Sequence, residues 1–320
     1  MNAKLFLVCI CFFLLGIRLS HSQNEPFSQF YNSRLAVNPA LTGHFINNWK
    51  IQDVFSYREY INGKFYSANN LSLELKIPIA KRSYFYGVVE EDYTNLEIGI
   101  GLTDDRHTIR HDSTNFSSDY LSLSVKKKLF KKAQISAGIQ AGVMNYLSKS
   151  VFDLNGGLLF GTQRIDCEYS HQIFKYELGA SYYHSSQPFR ASADTLLFPS
   201  ANIQLHGGAF YKISKKLNIE PMFHYVYNSL NYINAGLYLI SRSKHPGYDG
   251  LRFGMFYRST NHLDFAAGIR FFGKNQQSLS ADLTLSYDLN LNGFYKNGIE
   301  VSLAVYPLRK CWKDQQCIPK

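Results

Sequence analysis

Tyr120–Met144 reads YLSLSVKKKLFKKAQISAGIQAGVM. Leu121, Leu123 and Val125 point one way, and Tyr120, Ser122, Ser124 and Lys126 the other. After the basic turn Lys127–Lys132 the alternation resumes. Ile135, Ala137, Ile139, Ala141 and Val143 share one face; Ser136, Gly138, Gln140 and Gly142 share the other. A period of two belongs to a strand, because successive side chains leave an extended backbone on opposite faces. Two such runs joined by a short polar turn make an antiparallel hairpin. Each run has about ten residues, enough to cross a bilayer when tilted. One face is apolar and the other small and polar, which suits a wall between lipid and water.

Working outward, the same unit recurs. Trp49–Tyr60 and Phe65–Ile77 flank Asn62-Gly63, a strong hairpin-turn signal. Leu96, Ile98, Ile100 and Leu102 alternate with Asn95, Glu97, Gly99 and Gly101. Asn202–Ile213, Leu217–Tyr227, Tyr232–Ile240, Leu251–Arg258, Leu263–Phe271, Leu279–Asp288 and Ile299–Tyr306 follow, with weaker runs at Gly156–Arg164 and Lys175–His184. Ile79–Asp92 is ambiguous and reads as a turn plus an extension of the next strand. The expected fold is all-β, a transmembrane antiparallel barrel of fourteen strands, or twelve without the two weaker ones.

With the N-terminus in the periplasm, parity puts the turns Pro78–Ser83, Lys126–Lys132 and Ile213–Leu217 together on the periplasmic side. All three carry Lys-Lys or Lys-Arg. They would touch anionic inner-leaflet lipid or an acidic periplasmic partner, or merely solubilise the rim. The other side would hold the longer polar loops Thr103–Ser118 and Ser185–Ser200.

Composition agrees with a barrel. The chain holds 23 Tyr and 24 Phe in 320 residues, and barrels use aromatics as girdles at both membrane interfaces. Residues 1–22 read as a secretory signal: Lys4, the apolar run Leu5–Leu15, then Ser20-His21-Ser22 before cleavage. Removing Lys4 and Arg18 with it lowers the net charge from +10 to +8. For an exported protein, nucleic acid is the least fitting explanation of that charge. The expected domains are the signal 1–22, a periplasmic or plug segment 23–48, the barrel 49–306 and a periplasmic tail 307–320. Export into an oxidising compartment lets Cys311 and Cys317 close a small loop in that tail, leaving Cys167 over.

Within 23–48, Phe27, Ser28, Gln29, Phe30 and Tyr31 are followed by Asn38-Pro39-Ala40 and Gly43. This pattern resembles the N-terminal signature of the PorP/SprF family of type IX secretion system membrane proteins. The likeness continues at Ser56-Tyr57-Arg58, Phe256-Tyr257-Arg258, Leu285–Asp288 and Gly298–Tyr306, and departs between Tyr146 and Ala201. It implies a non-enzymatic outer-membrane component that supports export or surface anchoring of secreted proteins, such as a gliding adhesin. Its partners would be other secretion components or that adhesin, with outer-membrane lipid around it and no nucleic acid. A diffusion porin for small solutes is the alternative, and a barrel enzyme the third. No cofactor is implied.

The segment Pro26–Phe45 has several aromatics, two prolines and no alternation, so it is not a membrane strand. Its aromatics need burial, inside the barrel as a plug or against a partner.

Chemistry elsewhere is sparse. Asp104-Asp105-Arg106-His107 with His111-Asp112 would suit a metal or a His/Asp pair, though a solvated loop is the plain reading. His184, His206 and His224 lie in or near strands with no Ser pairing evident for hydrolytic catalysis.

Overall fold

The computed structural model describes residues 29–45, 48–60, 65–85, 88–110, 114–129, 133–146, 149–162, 174–185, 201–214, 216–227, 231–242, 248–272, 279–291 and 295–307. Phe27, Ser28, His111, Asp112, Cys167, Cys311 and Cys317 fall outside them.

Fourteen strands run in sequence order: β1 (Trp49–Tyr60), β2 (Phe65–Phe85), β3 (Val88–Arg110), β4 (Thr114–Lys128), β5 (Ala133–Tyr146), β6 (Lys149–Thr162), β7 (Phe174–Tyr183), β8 (Asn202–Lys212), β9 (Leu217–Tyr227), β10 (Tyr232–Arg242), β11 (Tyr248–Arg258), β12 (His262–Phe272), β13 (Leu279–Asn290) and β14 (Tyr295–Pro307). Each pairs antiparallel with the next, and β1 pairs with β14 from Ile51↔Val305 to Tyr60↔Tyr295, so the sheet closes without edges. Closure lets backbone groups bond from strand to strand around the wall, which lipid itself cannot do. Because the number of strands is even, the start of β1 and the end of β14 lie at one rim, here called the terminal rim.

The alternation read from the sequence separates lipid from lumen. Ile139 is 57% exposed while Gln140 beside it is 2% exposed. On β6, Phe152, Leu154, Leu158 and Phe160 all face outward. Phe152 and Phe160 are eight residues apart, about 26 Å along a strand at ~3.3 Å per residue, or roughly 20 Å of depth at the ~40° tilt of barrel strands, which covers most of the apolar band of a membrane. Both weaker runs are strands, and β6 begins at Lys149, seven residues before the run read from the sequence.

Two expectations fail. Pro78–Ser83 is not a turn: β2 runs through it and pairs with β3 as far as Phe85↔Val88. Thr103–Ser118 is not a long loop either, since β3 continues to Arg110 and β4 resumes at Thr114. Both stretches lie where a strand no longer has a lipid face, so alternation is not required there. From Ala80 on β2 and Tyr93 on β3, the two strands have only each other among the described strands. Pairing of β1 with β2 reaches no further than Trp49↔Leu75, and pairing of β3 with β4 ends at Leu96↔Lys127. A two-stranded ribbon therefore stands out from the terminal rim.

Candidate functional site

The N-terminal segment from Gln29 to Phe45 lies in the lumen and visits most of the wall. The Gln29 amide N–H donates to Glu300 Oε1 at 2.9 Å, and its side-chain Nε2 donates to Ser286 Oγ at 2.7 Å. These two anchors lie on β14 and β13. Phe30 and Tyr31 then enter an aromatic nest of Tyr238 and Phe256 on β10 and β11. Tyr31 packs 5.2 Å from the Phe256 ring and edge-on to Tyr238 at 5.0 Å.

Two single-turn 3₁₀ helices follow, Arg34–Ala36 and Pro39–Leu41. Short turns of this kind leave carbonyls without internal partners, and the wall supplies them. Tyr183 donates to the Leu35 carbonyl and Ser181 to that of Val37. Ser136 donates to the Ala40 carbonyl at 2.8 Å, and Ser124 to that of Thr42 at 2.7 Å.

Asn38 is the hinge of this arrangement and is fully buried. Its Oδ1 accepts from the Ala40 N–H at 2.8 Å, capping the second turn. Its Nδ2 donates to the carbonyls of Leu158 at 2.9 Å and Ala180 at 3.3 Å, and lies 3.0 Å from His206 Nε2. Pro39 follows at the first helical position, where a missing N–H costs nothing.

The wall is shaped to receive the segment. A Cβ on Gly138 would lie under 3.0 Å from the Pro39 carbonyl, one on Gly157 from Asn38, and one on Gly99 from the Thr42 carbonyl. Gly43 has φ +62°, which a residue with a Cβ rarely adopts, and a Cβ there would also meet Gly99. The Gly43 N–H donates to Glu74 Oε2 at 2.8 Å, and Glu74 Oε1 holds Lys50 at 2.8 Å. His44 is buried beside Glu177 at 3.3 Å, and burial pulls its imidazole down to about 3. It is therefore neutral at ordinary pH. Toward the terminal rim, beneath the segment, lies a cavity of about 260 Å³.

The structure thus gathers Gln29, Phe30, Tyr31, Asn38, Pro39, Ala40 and Gly43 against one set of inward-facing residues. Sequence reasoning missed the receiving side: Glu74, Ser124, Ser136, Ser181, Tyr183, Ser286 and Glu300. The signal for part of it was present, since the inward faces of β3 to β7 carry Gly and Ser at nearly every position nearest the segment.

The other candidates are scattered. Asp104 to His107 lie in β3, not in a loop. Asp104 is engaged by Arg106 through two hydrogen bonds, and Asp105 takes His107 at 2.9 Å. His184 bonds Asp153 at 2.9 Å and His224 bonds Gln204 at 2.8 Å. His206 faces His224 across the β8–β9 pair and serves Asn38. Among the described residues no group of three His, Cys, Asp or Glu is placed to hold a metal.

Among solved structures, the fold is similar to the Ralstonia pickettii toluene transporter TbuX. The TM-score is 0.54 at 11% identity, over 87% of this chain and 94% of that one. It is also similar to a Pseudomonas aeruginosa FadL homologue, with TM-score 0.52 at 11% identity over 85% and 93%. A mutant of the TodX monoaromatic hydrocarbon channel matches with TM-score 0.50 at 10% identity over 87% and 94%. At such identities the likeness is one of fold. No curated protein matches the sequence. The model of a family described as type IX secretion system membrane protein PorP/SprF matches residues 19–303.

Proposed function

The chain is an outer-membrane β-barrel that belongs to the PorP/SprF family of type IX secretion system membrane proteins, and we propose that it supports export or surface anchoring of secreted proteins without being an enzyme. Surface adhesins of the gliding type are the favoured cargo, and other secretion components the favoured partners. The observation that carries this reading is the occupied lumen. The family-signature residues Gln29 to Gly43 are spent on fastening a segment inside the barrel, through buried hydrogen bonds to six or more strands. A diffusion pore needs that space for solute and water. A scaffold does not, and a fixed filling gives it a rigid lumen and a defined rim for partners.

Deleting Gln23–Phe45 tests the reading. The parent protein should pass little current in planar bilayers, and the deleted protein should still form a heat-modifiable barrel that now conducts. Removing the whole protein from cells should stop export or surface display of a type IX cargo. Strong conductance by the parent together with normal cargo display in its absence would return the porin reading.

A further inference from the structure

The two ends of the lumen differ in charge. Inward acids with their His and Arg partners crowd the half away from the chain ends: Asp105 with His107, Asp153 with His184, and Asp288 with His262 and Arg58. The half toward the terminal rim is cationic. The cavity of about 260 Å³ is lined by Arg34, Lys50, Lys175, Arg252 and Arg270; Arg34 pairs with Glu177, Lys50 with Glu74 and Arg270 with Asp282, and Lys175 and Arg252 share the lining with Glu220. The last two turns of wall before the rim add Lys127, Lys128, Lys212 and Lys216.

The cavity is also aromatic. Lys175 lies over the Phe210 ring at 5.4 Å and Lys50 over that of Phe45 at 5.6 Å, with Tyr176 and Tyr306 nearby on the lining. Cations held over ring faces leave charged and apolar contacts side by side, and the size sits just below the usual range of ligand pockets. It suits the tip of a polypeptide better than a whole drug-sized molecule. Beside this mouth stands the β2–β3 ribbon, paired from Ala80↔Tyr93 to Phe85↔Val88 with no third strand on either side among the described residues. A two-stranded ribbon alone is marginal in water and presents unpaired edges that another chain can use.

We propose that this cationic vestibule at the terminal rim, flanked by the ribbon, is the docking site for an acidic segment of a periplasmic partner polypeptide. The proposal rests on the secretion-component reading above and locates its partner contact. Charge complementarity selects an acidic occupant, because opposed potentials steer encounter and exclude like-charged competitors. Phospholipid is the poorer match. Lys175, Arg252 and Arg270 line the lumen, whereas lipid lies outside the wall, on the face that carries Leu251 and Phe271.

The test uses the full-length protein in phosphatidylcholine nanodiscs. A short fluorescein-labelled peptide rich in Asp, Glu and Phe is titrated by anisotropy, beside its counterpart with Lys at the acidic positions. The acidic peptide should bind and the basic one should not. Lys175→Glu with Arg252→Glu should weaken binding at least about tenfold, while Lys149→Glu at the opposite rim should change it little. Should the double reversal lose heat-modifiable folding, Lys175→Gln and Arg252→Gln remove the charges without reversing them and should weaken binding in the same order. Equal binding of the two peptides overturns the proposal. So does unchanged affinity in the vestibule variants, or an effect of those variants only on phosphatidylglycerol vesicles. None of these outcomes touches cargo export, which tests the secretion reading separately.

Discussion

Gly156 and Gly157 are neighbours on β6, yet an added methyl group meets opposite surroundings at the two positions. At Gly156 a Cβ finds nothing within 4 Å. At Gly157 it would overlap the Asn38 carboxamide. Gly157→Ala therefore forces Asn38 out of its seat. The cap on the Ala40 N–H is then lost, worth about 0.5–2 kcal/mol. The bonds from Nδ2 to the Leu158 and Ala180 carbonyls go with it, at about 1 kcal/mol each. Together these weaken docking of the segment by ~3 kcal/mol, or roughly a hundredfold in the undocked population. Gly156→Ala should leave docking untouched and, as an ordinary Gly-to-Ala change in a strand, leave the barrel as stable or slightly more so. Limited trypsin digestion reports the difference, because Arg34 is accessible to protease only when the segment leaves the wall. Gly157→Ala should be cut at Arg34 much faster than the parent while keeping its heat-modifiable mobility, and its bilayer conductance should rise. Equal digestion of the two variants would refute the argument that glycines on this wall exist to admit the segment.

Other expectations follow from the same geometry. Ile139→Arg places a charge on the lipid face and should cost about 2–4 kcal/mol in urea unfolding from lipid vesicles, if it lies near mid-membrane. Glu74→Ala removes the carboxylate that accepts from the Gly43 N–H and should loosen the segment by about 1.5–3 kcal/mol, read by the same trypsin assay, while loss of the Lys50 pair weakens the wall itself. Docking should also weaken in acid. His44 is held to about 3 when docked, against its ordinary 6.5 when free, so the undocked form takes up the proton. Stability of docking is complete above pH 6.5 and falls by about 1.4 kcal/mol per pH unit below it, down to about pH 3. His44→Gln should flatten that slope. For the tail, thiol labelling without reductant should miss both Cys311 and Cys317 if the expected disulfide forms.

The barrel was legible wherever strands cross lipid, because lipid on one side and packed polar groups on the other impose strict alternation. Tyr120–Met144 shows it most plainly, and all fourteen strands follow from it. Legibility ended at the membrane surface. Asp104 to His107 are as extended as Leu96 to Leu102, but with water on the outer face a run of four polar residues is free to form strand or loop. The same holds for Lys81-Arg82, whose charges imitate a turn within the long β2. In the lumen, the segment was recognisable by its lack of alternation and its need to bury aromatics. Its seat was not, because Gln29 meets Glu300 across 271 residues of chain and no local pattern links them. The Gly and Ser positions on the inward wall say only that something packs closely there.

Those two partners of Gln29 also bear on how the molecule is put together. Glu300 and Ser286 belong to the last two strands to leave the ribosome, while Gln29 is among the first residues of the described chain. The seam between β1 and β14 closes on the same residues, since Glu300 sits opposite Ser56 on β1. The segment thus has no complete seat until the final hairpin arrives, and contacts of such separation form late. Seating of the N-terminal end and closure of the cylinder become one event. A chain that stalls before β13 would be left with an open seam and an unseated aromatic leader.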